Sequence, residues 1–262
     1  MPSQPRFRWR LLLAPARDGA ENMARDVALQ DHSRKTGECV FSLYSWIRPT
    51  LSLGRNQTAK GLYDLAQIDR QGMDVVRRPT GGRAILHDRE ITYSVTGPDS
   101  FAPSLGQAYD TINAILLAGL KSVGVPASIA SPDVPPPKPD QSPCFAEPVK
   151  GELVAHGKKL VGSAQYRENG AFLQHGSILI SNDQYRLAEL TLGIDRDAAS
   201  SPATLSDFLP DPVDPGAVAE AMFAAVRELH DPGAAPMNED EIRTAALRLR
   251  SEFTDPVWTW RR

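Results

Sequence analysis

A chain of 262 residues, 41% of them hydrophobic and 23% charged, has the composition of an ordinary globular protein and can bury a sizeable core. Its formal net charge of −3 argues against a dedicated nucleic-acid-binding protein, which needs a basic field to neutralise phosphates. Two cysteines, Cys39 and Cys144, cannot build a disulfide framework, and no apolar stretch reaches the length of a signal-peptide core or a membrane span. We therefore expect a cytoplasmic protein that binds neither nucleic acid nor membrane.

The first half of the chain predicts strands and helices in turn. Residues 11–14 predict a strand, followed by a helix that Asp18 caps. Residues 39–46 predict a strand whose alternation places Cys39, Phe41 and Leu43 on one face, so Cys39 is a core residue rather than a reactive thiol. The later elements are strands at 51–53, 74–78 and 90–95, a helix near 63–70 and a helix at 104–123 that ends before Gly124 and Pro126.

A proline-rich segment divides the chain. Seven prolines between residues 132 and 148 forbid both helix and sheet interiors, so this segment predicts an extended surface loop. Long loops in compact domains are usually functional or disordered. This loop carries Cys144.

The second half predicts antiparallel strands and then helices. The strands are expected at 152–156, 159–166 and 171–180, with turns at His156-Gly157 and Asn169-Gly170. Amphipathic patterns predict helices at 217–229 and 239–250. With no repeat and no clear linker, the sequence indicates one α+β domain over residues 1–262, with a core at about 11–192 and a helical C-terminal extension at about 193–262.

Cys144 and Lys159 are the residues whose chemistry is most specific. A thiol at the end of a loop, followed by a lysine in a Gly/Ser-flanked strand, suits acyl transfer through a thioester. The lysine cation favours the thiolate and stabilises the negative charge that develops on the acyl oxygen. Alternation sends Lys158 outward and Lys159 to the ligand side, although both lysines could simply protect a strand edge from aggregation.

Small residues follow this lysine. Gly162, Ser163 and Ala164 are expected where an acyl chain or a carrier arm passes against a strand. In the next strand, His175 could orient the thiol or an incoming amine, but a histidine satisfied within the core is slightly favoured.

A glycine-rich motif occupies residues 77–88. Gly81 and Gly82 let backbone N–H groups approach a carbonyl or phosphate oxygen, and Arg78 can add a bidentate donor. A tight turn flanked by solvated arginines is an equally good interpretation of the composition. His87 and Asp88 should point to opposite faces, which favours a histidine bonded to backbone over a general base.

Taken together, these motifs resemble the biotin/lipoate protein ligase family, in its lipoate branch. The family pattern Arg-Arg-x-Ser/Thr-Gly-Gly-Gly/Arg-Ala-x-x-His-Asp is matched at 77–88, Gly-x-Lys-x-x-Gly-Ser-Ala-Gln at 157–165 and His-Gly-Ser/Thr at 175–177. Residues 51–57 also match, and the resemblance covers roughly 11–192. Arg83 stands where ATP-using lipoate ligases generally carry glycine, and those ligases lack a thiol at the position of Cys144. The resemblance is therefore closest to the cysteine-dependent octanoyl-[acyl carrier protein]:protein N-octanoyltransferases.

This resemblance implies a mixed, largely antiparallel sheet flanked by helices. It also implies transfer of octanoyl from octanoyl-acyl carrier protein to a lysine of lipoyl domains, in 2-oxoacid dehydrogenases or the glycine cleavage H protein. Cys144 and Lys159 would be catalytic, with no metal and no cofactor. The implied substrate-binding residues are Arg78, Gly81, Gly82, Arg83, His87, Gly162, Ser163, Ala164 and His175, with an acyl tunnel expected around Val75, Ala84 and Leu160.

Three other functions stay open at this point. The chain could be an ATP-dependent lipoate-protein ligase or an amidotransferase that moves octanoyl between lipoyl domains. It could also be a non-catalytic acyl-binding relative, although the presence of both Cys144 and Lys159 counts against that function.

Overall fold

The computed structural model describes residues 6–130, 145, 148–193 and 201–262. Cys144 lies outside the described residues. The strands are β1 (Trp9–Leu13), β2 (Cys39–Tyr44), β3 (Thr50–Leu53), β4 (Asp74–Arg77), β5 (Ile85–His87), β6 (Glu90–Pro98), β7 (Ala127–Ile129), β8 (Leu153–Ala155), β9 (Lys158–Lys159), β10 (Val161–Glu168), β11 (Ala171–Leu179) and β12 (Ala235–Pro236). The helices are α1 (Gly19–Thr36), α2 (Leu65–Arg70), α3 (Leu105–Ser122), α4 (Arg186–Leu190), α5 (Pro215–Leu229), α6 (Asp240–Thr254) and α7 (Pro256–Thr259).

The main sheet has the strand order β10-β11-β6-β2-β1-β12. The pairings from β10 to β2 are antiparallel, whereas β2 with β1 and β1 with β12 are parallel. Helices pack against this sheet, as α3 contacts β10 and α1 contacts β6 and β11. The predicted α+β fold with a mixed, largely antiparallel sheet is therefore confirmed.

Strand alternation separates the two faces of this sheet. On one face, Phe41 and Tyr93 join a core that includes residues of α3 and α5. On the other face, Val40 and Tyr44 pack against α1. Cys39 is fully buried in the first core, as predicted, and burial raises the pKa of its thiol far above the ordinary value. A thiol held protonated in this way is a core residue rather than a nucleophile.

Helix α1 is buried on more than one side. Its N-cap is Asp18, as predicted, and the Asp18 side chain accepts a hydrogen bond from the backbone N–H of Glu21 at 2.8 Å. Because α6 packs along this helix opposite the sheet, polar residues of α1 are buried as well as apolar ones. Asp26 is among them, and it contributes to the site described below.

Two smaller sheets flank the main one. β4, β3 and β5 form one of them in that order, and β7, β8 and β9 form the other. The continuous strand predicted at 159–166 is wrong, because the chain changes sheets at Leu160. β9 pairs with β8, whereas β10 pairs with β11 in the main sheet. Leu160 is buried at this corner, where its backbone N–H donates to the carbonyl of Leu153 at 3.0 Å.

Both predicted turns of this region are confirmed. His156 and Gly157 have φ values of 48° and 76°, and Asn169 and Gly170 have values of 52° and 87°. Two successive residues in the left-handed region are typical of the tight hairpin turns whose twist matches that of the flanking strands. The turn at 156–157 thereby sets the pairing of Lys159 with Val154.

The C-terminal part contains the predicted helices and one strand that was not predicted. Helix α5 packs on α3, and helix α6 packs on α1. Between these helices, β12 pairs with β1 in parallel, so the extension is not purely helical. Two residues are too few to give a periodic signal, and their pairing depends on where α5 delivers the chain. In the part of the chain that the structure describes, no helix combines the length and apolar character needed to cross a bilayer.

Candidate active site

A cavity of about 410 Å³, including its open mouth, lies between the main sheet, α1 and β5. Its floor is formed by β10 and β11, and its walls are formed by α1, the segment after β2, and β5. The lining residues are Met23, Tyr44, Trp46, Arg78, Gly82, Ile85, His87, Thr92, Gly162, Ser163, Ala164, His175, Gly176 and Ser177. The cavity thus combines apolar walls with a few polar groups, as small-molecule sites do.

The glycine-rich loop borders this cavity as a tight turn. Gly82 has a φ of 92°, and a Cβ on Gly54 would lie 2.0 Å from the carbonyl oxygen of Gly82. The guanidinium of Arg78 donates to the carbonyl oxygens of Gly81, Arg83 and Ser52, at 2.7, 2.8 and 3.0 Å. Arg78 therefore holds the loop in shape and also faces the cavity. Its action as a donor to a ligand stays a prediction.

Arg77 fixes the backbone of the segment after β3, against which the glycine-rich loop lies. It is fully buried, and its guanidinium donates to the carbonyl oxygens of Gly54, Gln57 and Thr259, at 2.6, 2.8 and 2.9 Å. Burial lowers the pKa of Arg77, and the nearby cations Arg261 and Arg262 lower it further. Both arginines of the motif therefore hold backbone in place. The loop is a turn, as one interpretation of the sequence had it, but its arginines are buried rather than solvated.

His175 is part of a buried polar network. Its Nε2 lies 2.7 Å from the hydroxyl of Thr80, and its Nδ1 lies 2.7 Å from Oδ2 of Asp26. The same carboxylate oxygen accepts a hydrogen bond from the Tyr44 hydroxyl at 2.8 Å. Burial and the charge of Asp26 raise the pKa of Tyr44 well above its usual value, so the phenol keeps its proton. Both ring nitrogens of His175 therefore have hydrogen-bond partners in the core, as the sequence analysis favoured. His175 also lines the cavity.

Asp26, Tyr44 and Thr80 were missed by the sequence analysis. Thr80 lies within the glycine-rich motif, so that motif was the available signal for it. Asp26 gives no comparable signal, because a carboxylate in a helix is usually a solvated residue. Its burial depends on the main sheet, where its carboxylate contacts Tyr44 of β2 and His175 of β11.

His87 lies in the wall of the cavity. Its ring stacks on that of Trp46 with centroids 4.1 Å apart, and its Nδ1 lies 3.5 Å from Oε1 of Glu90. Burial lowers the pKa of His87, although Glu90 opposes this shift. The His87 ring is therefore held by the side chains of Trp46 and Glu90, whereas the sequence analysis expected a hydrogen bond to backbone. Asp88 points away, as predicted, and its carboxylate pairs with Arg186 at 2.7 Å.

Lys159 is buried, whereas Lys158 is exposed, so the predicted alternation is confirmed. Lys159 is not among the residues that line the cavity, and its position on the ligand side stays a prediction. The ammonium of Lys159 donates to Oε1 of Glu152 at 2.6 Å and lies 5.4 Å from the centroid of the Phe145 ring. Phe145 is the residue directly after Cys144 in the sequence. It packs with Ile85, which lines the cavity. Lys159 and the cavity wall are therefore connected through Phe145.

The small residues of β10 differ in their positions. Gly162 and Ala164 line the cavity from the sheet face that carries His175, because these residues pair in register with β11. The hydroxyl of Ser163 instead accepts a hydrogen bond from Tyr93 at 2.7 Å, on the opposite face. Ser163 therefore borders the cavity with its backbone. Sequence reasoning grouped these three residues without applying the alternation that separates them.

None of the three residues named for the acyl tunnel lines this cavity. Val75 and Ala84 belong to the apolar cluster around β3, and Leu160 belongs to the main core. The cavity wall uses Ile85 in their place, one position after Ala84. Arg83 is buried and does not line the cavity; its carbonyl is bound by Arg78, as is that of Gly81.

The mixed sheet, the glycine-rich loop at the mouth of a cavity and the buried lysine together define an enzyme that acts on a small ligand with an apolar part. The chain belongs to the lipoyl protein ligase A/B catalytic domain family, whose pattern matches residues 18–227. It is 37% identical to an octanoyltransferase LipM from Kyrpidia tusciae, over 97% of this chain and 99% of that protein. It is 43% identical to an octanoyltransferase LipM from Lysinibacillus sphaericus, over 63% of each chain.

The fold is similar to that of a lipoate-protein ligase A whose crystal structure contains bound ATP. The TM-score is 0.77 at 22% sequence identity, with 97% of this chain and 99% of that chain covered. At this identity the likeness concerns the fold alone.

Proposed function

We propose that this protein is an octanoyltransferase of protein lipoylation, in which Cys144 carries the octanoyl group as a thioester. Relatives that match nearly the whole chain are octanoyltransferases, which supports the reaction. The observation that carries the mechanism is the burial of Lys159 beside Phe145, the residue after Cys144. A buried cation at this position suits a reaction in which negative charge develops on sulfur and oxygen.

In the first step, the Cys144 thiolate attacks the thioester carbonyl of octanoyl-acyl carrier protein. The new carbon–sulfur bond forms through a tetrahedral intermediate, and the carrier thiolate leaves and takes up the proton that Cys144 gave away. One thioester replaces another, so the step is close to isoenergetic and needs no nucleotide. The Lys159 ammonium stabilises the oxyanion of the intermediate.

In the second step, the neutral ε-amine of a lysine on a lipoyl domain attacks the acyl-enzyme. The carbon–nitrogen bond forms, the Cys144 sulfur leaves, and the proton lost by the amine returns to that sulfur. An amide is more stable than a thioester, so this step runs downhill. The acceptors we propose are lipoyl domains of 2-oxoacid dehydrogenases or the glycine cleavage H protein, in the cytoplasm.

The cavity suits an octanoyl group. Met23, Trp46 and Ile85 supply apolar wall for the alkyl chain, and Gly162 and Ala164 leave room above the sheet. We assign substrate-binding roles to Arg78, Gly82, His87 and His175 because they contribute polar or close-approach surface to the same cavity. The backbone N–H groups around Gly81 and Gly82 are the further oxyanion donors we propose. The reaction requires no metal and no cofactor.

A donor-exchange assay tests this function. Apo-lipoyl domain is incubated with octanoyl-acyl carrier protein without ATP or Mg²⁺, and modification is followed by intact mass. We expect octanoylation, together with a hydroxylamine-labile adduct on the enzyme that Cys144→Ala lacks. Modification from free octanoate plus ATP only would identify a ligase. Transfer from an octanoylated lipoyl domain only would identify an amidotransferase.

A further inference from the structure

Glu152 is a buried carboxylate whose two oxygens have different partners. Oε1 accepts from the Lys159 ammonium at 2.6 Å, and Oε2 accepts from the backbone N–H of Val149 at 2.9 Å. Side-chain exposures of 8% for Glu152 and 2% for Lys159 place this pair out of bulk water. A buried charge pair is costly unless its geometry is good and its remaining lone pairs are satisfied, and here both oxygens are occupied.

The same residue joins the two ends of the segment that contains Cys144. Before that segment, the N–H of Ala130 donates to the carbonyl of Glu152 at 2.8 Å. After it, Val149 exchanges hydrogen bonds with Glu152, through the side chain as above and through the Glu152 N–H at 3.1 Å. Gly151 adds a bond from its N–H to the carbonyl of Ala130 at 2.8 Å. Glu152 thus lies where the chain leaves for Cys144 and returns from it.

The β8–β9 hairpin explains why Glu152 meets Lys159. Lys159 pairs with Val154 across the hairpin, and Glu152 lies two positions before Val154. Residues two positions apart along a strand share a face, so Glu152 is the diagonal neighbour of Lys159. The turn at 156–157 fixes this register, and the contact is built into the sheet rather than made by a loose side chain.

We infer that Glu152 is a positioning residue for catalysis, which directs the Lys159 ammonium and ties it to the base of the Cys144 segment. This inference rests on the proposed function. The carboxylate offsets the charge of the ammonium, so Lys159 acts on the acyl oxygen at short range, as a directed hydrogen-bond donor. In this role Glu152 acts through Lys159 rather than on the sulfur or the substrate.

Glu152→Gln is the informative variant, because an amide has one acceptor atom where the carboxylate has two. The variant can satisfy Lys159 or Val149, but not both. Misdirection of a catalytic group costs on the order of 10- to 100-fold in rate. We expect a loss of that size in kcat for octanoyl transfer, with KM for octanoyl-acyl carrier protein nearly unchanged. Glu152→Asp keeps both acceptors and the charge, so it should recover most of the rate.

A second readout separates positioning from a merely structural role. Without the carboxylate charge, the surroundings of the ammonium carry one more net positive charge, which favours the Cys144 thiolate, so iodoacetamide should alkylate Cys144 at lower pH than in the wild type. Transfer should therefore slow while the thiol becomes more reactive. Glu152→Asp should alkylate as the wild type does, and Glu228→Gln, at an exposed position on α5, should change neither property.

An unchanged transfer rate in Glu152→Gln would overturn the inference, and so would slower transfer with an unmoved alkylation profile. Peptide mapping assigns the alkylated cysteine. Alkylation needs no acyl donor, so this comparison stands even if the wild type takes no octanoyl from acyl carrier protein. In that case the proposed function fails, and the alkylation profiles still decide whether Glu152 acts on Lys159.

Discussion

Nδ1 of His175 lies 2.7 Å from Oδ2 of Asp26, although 149 positions separate the two residues in the chain. The same Oδ2 atom accepts from the Tyr44 hydroxyl, so it acts as an acceptor and Nδ1 of His175 donates to it. On the other side of the ring, Nε2 lies 2.7 Å from the hydroxyl of Thr80, the residue before Gly81. Asp26 therefore orients the His175 ring that anchors the glycine-rich loop at the cavity.

Asp26→Asn should weaken this anchor. The amide oxygen can still accept from Nδ1, but the amide nitrogen then takes the place of Oδ1, which has no hydrogen-bond partner among the described residues, and a buried donor without an acceptor costs about 1–3 kcal/mol. We expect the free energy of unfolding to fall by about that amount and octanoyl transfer to slow by about tenfold or more, because the uncharged amide holds the His175 ring, and with it Thr80, less firmly. Urea unfolding and single-turnover transfer measure the two effects.

Asp31→Asn is the matched control on the same helix. Asp31 forms surface ion pairs with Arg34 and Lys35, and such pairs contribute about 0–1 kcal/mol. This variant should keep the wild-type transfer rate. A wild-type rate in Asp26→Asn as well would show that the network does not contribute to the reaction.

Gly54→Ala should displace the loop that borders the cavity. The new Cβ would meet the carbonyl oxygen of Gly82 at 2.0 Å, and backbone on both sides leaves no flexible side chain to move away. We expect a loss of stability of several kcal/mol, about the upper end of single substitutions, and strongly reduced transfer. Thermal unfolding and the transfer assay measure these losses.

Gly106→Ala provides the comparison for Gly54→Ala. Gly106 lies in α3, and a Cβ there would only touch the Ser104 hydroxyl at 3.8 Å. Alanine in a helix is favoured over glycine by about 0.5–1 kcal/mol, so this variant should be as stable as the wild type or more stable. Equal effects of the two substitutions would contradict the steric argument.

Local patterns account for the parts of the fold that were predicted. The Asn169-Gly170 turn, the Asp18 cap and the alternation of Lys158 and Lys159 follow from the chemistry of a few adjacent residues, and all three are confirmed. The family motifs placed the glycine-rich loop and His175 in one site, and both border the cavity.

Long-range contacts account for the parts that were missed. Asp26 is buried because α1 packs it against β2 and β11, and the change of sheets at Leu160 depends on the position of β11. No short sequence pattern indicates the burial of Asp26 or the change of sheets. Glu152 is a third example, since its role depends on the diagonal contact across the β8–β9 hairpin and on where Val149 returns. The sequence identified the lysine but not the carboxylate that directs it.

Lys159→Met should abolish most of the transfer activity. The variant removes the cation that stabilises the oxyanion, and such a loss costs on the order of 100-fold or more in rate. It also leaves Glu152 buried without its partner, which costs about 3–5 kcal/mol of stability. Single-turnover transfer and urea unfolding separate these two effects.

Two further variants separate the loss of oxyanion stabilisation from the loss of folding stability. Lys158→Met should keep both rate and stability, because Lys158 is exposed. Combining Lys159→Met with Glu152→Gln removes the uncompensated charge, so stability should return in part while transfer stays lost. Recovery of transfer in the double variant would mean that Lys159 serves the fold and not the reaction.

His87 should make the protein less stable as the pH falls below neutral. Burial lowers the pKa of His87 in the folded protein, whereas the unfolded chain titrates near the ordinary value of about 6.5. As the pH falls through about 6.5, the unfolded state binds the proton first, so this group lowers the free energy of unfolding progressively toward the folded pKa. His87→Gln removes the titrating group and also the ring that stacks on Trp46. The variant should therefore be less stable than the wild type above pH 7, and the difference should narrow between pH 7 and 5. Urea unfolding at stepped pH measures that difference, and a difference that stays constant or widens toward pH 5 would contradict the assignment of a neutral, buried His87.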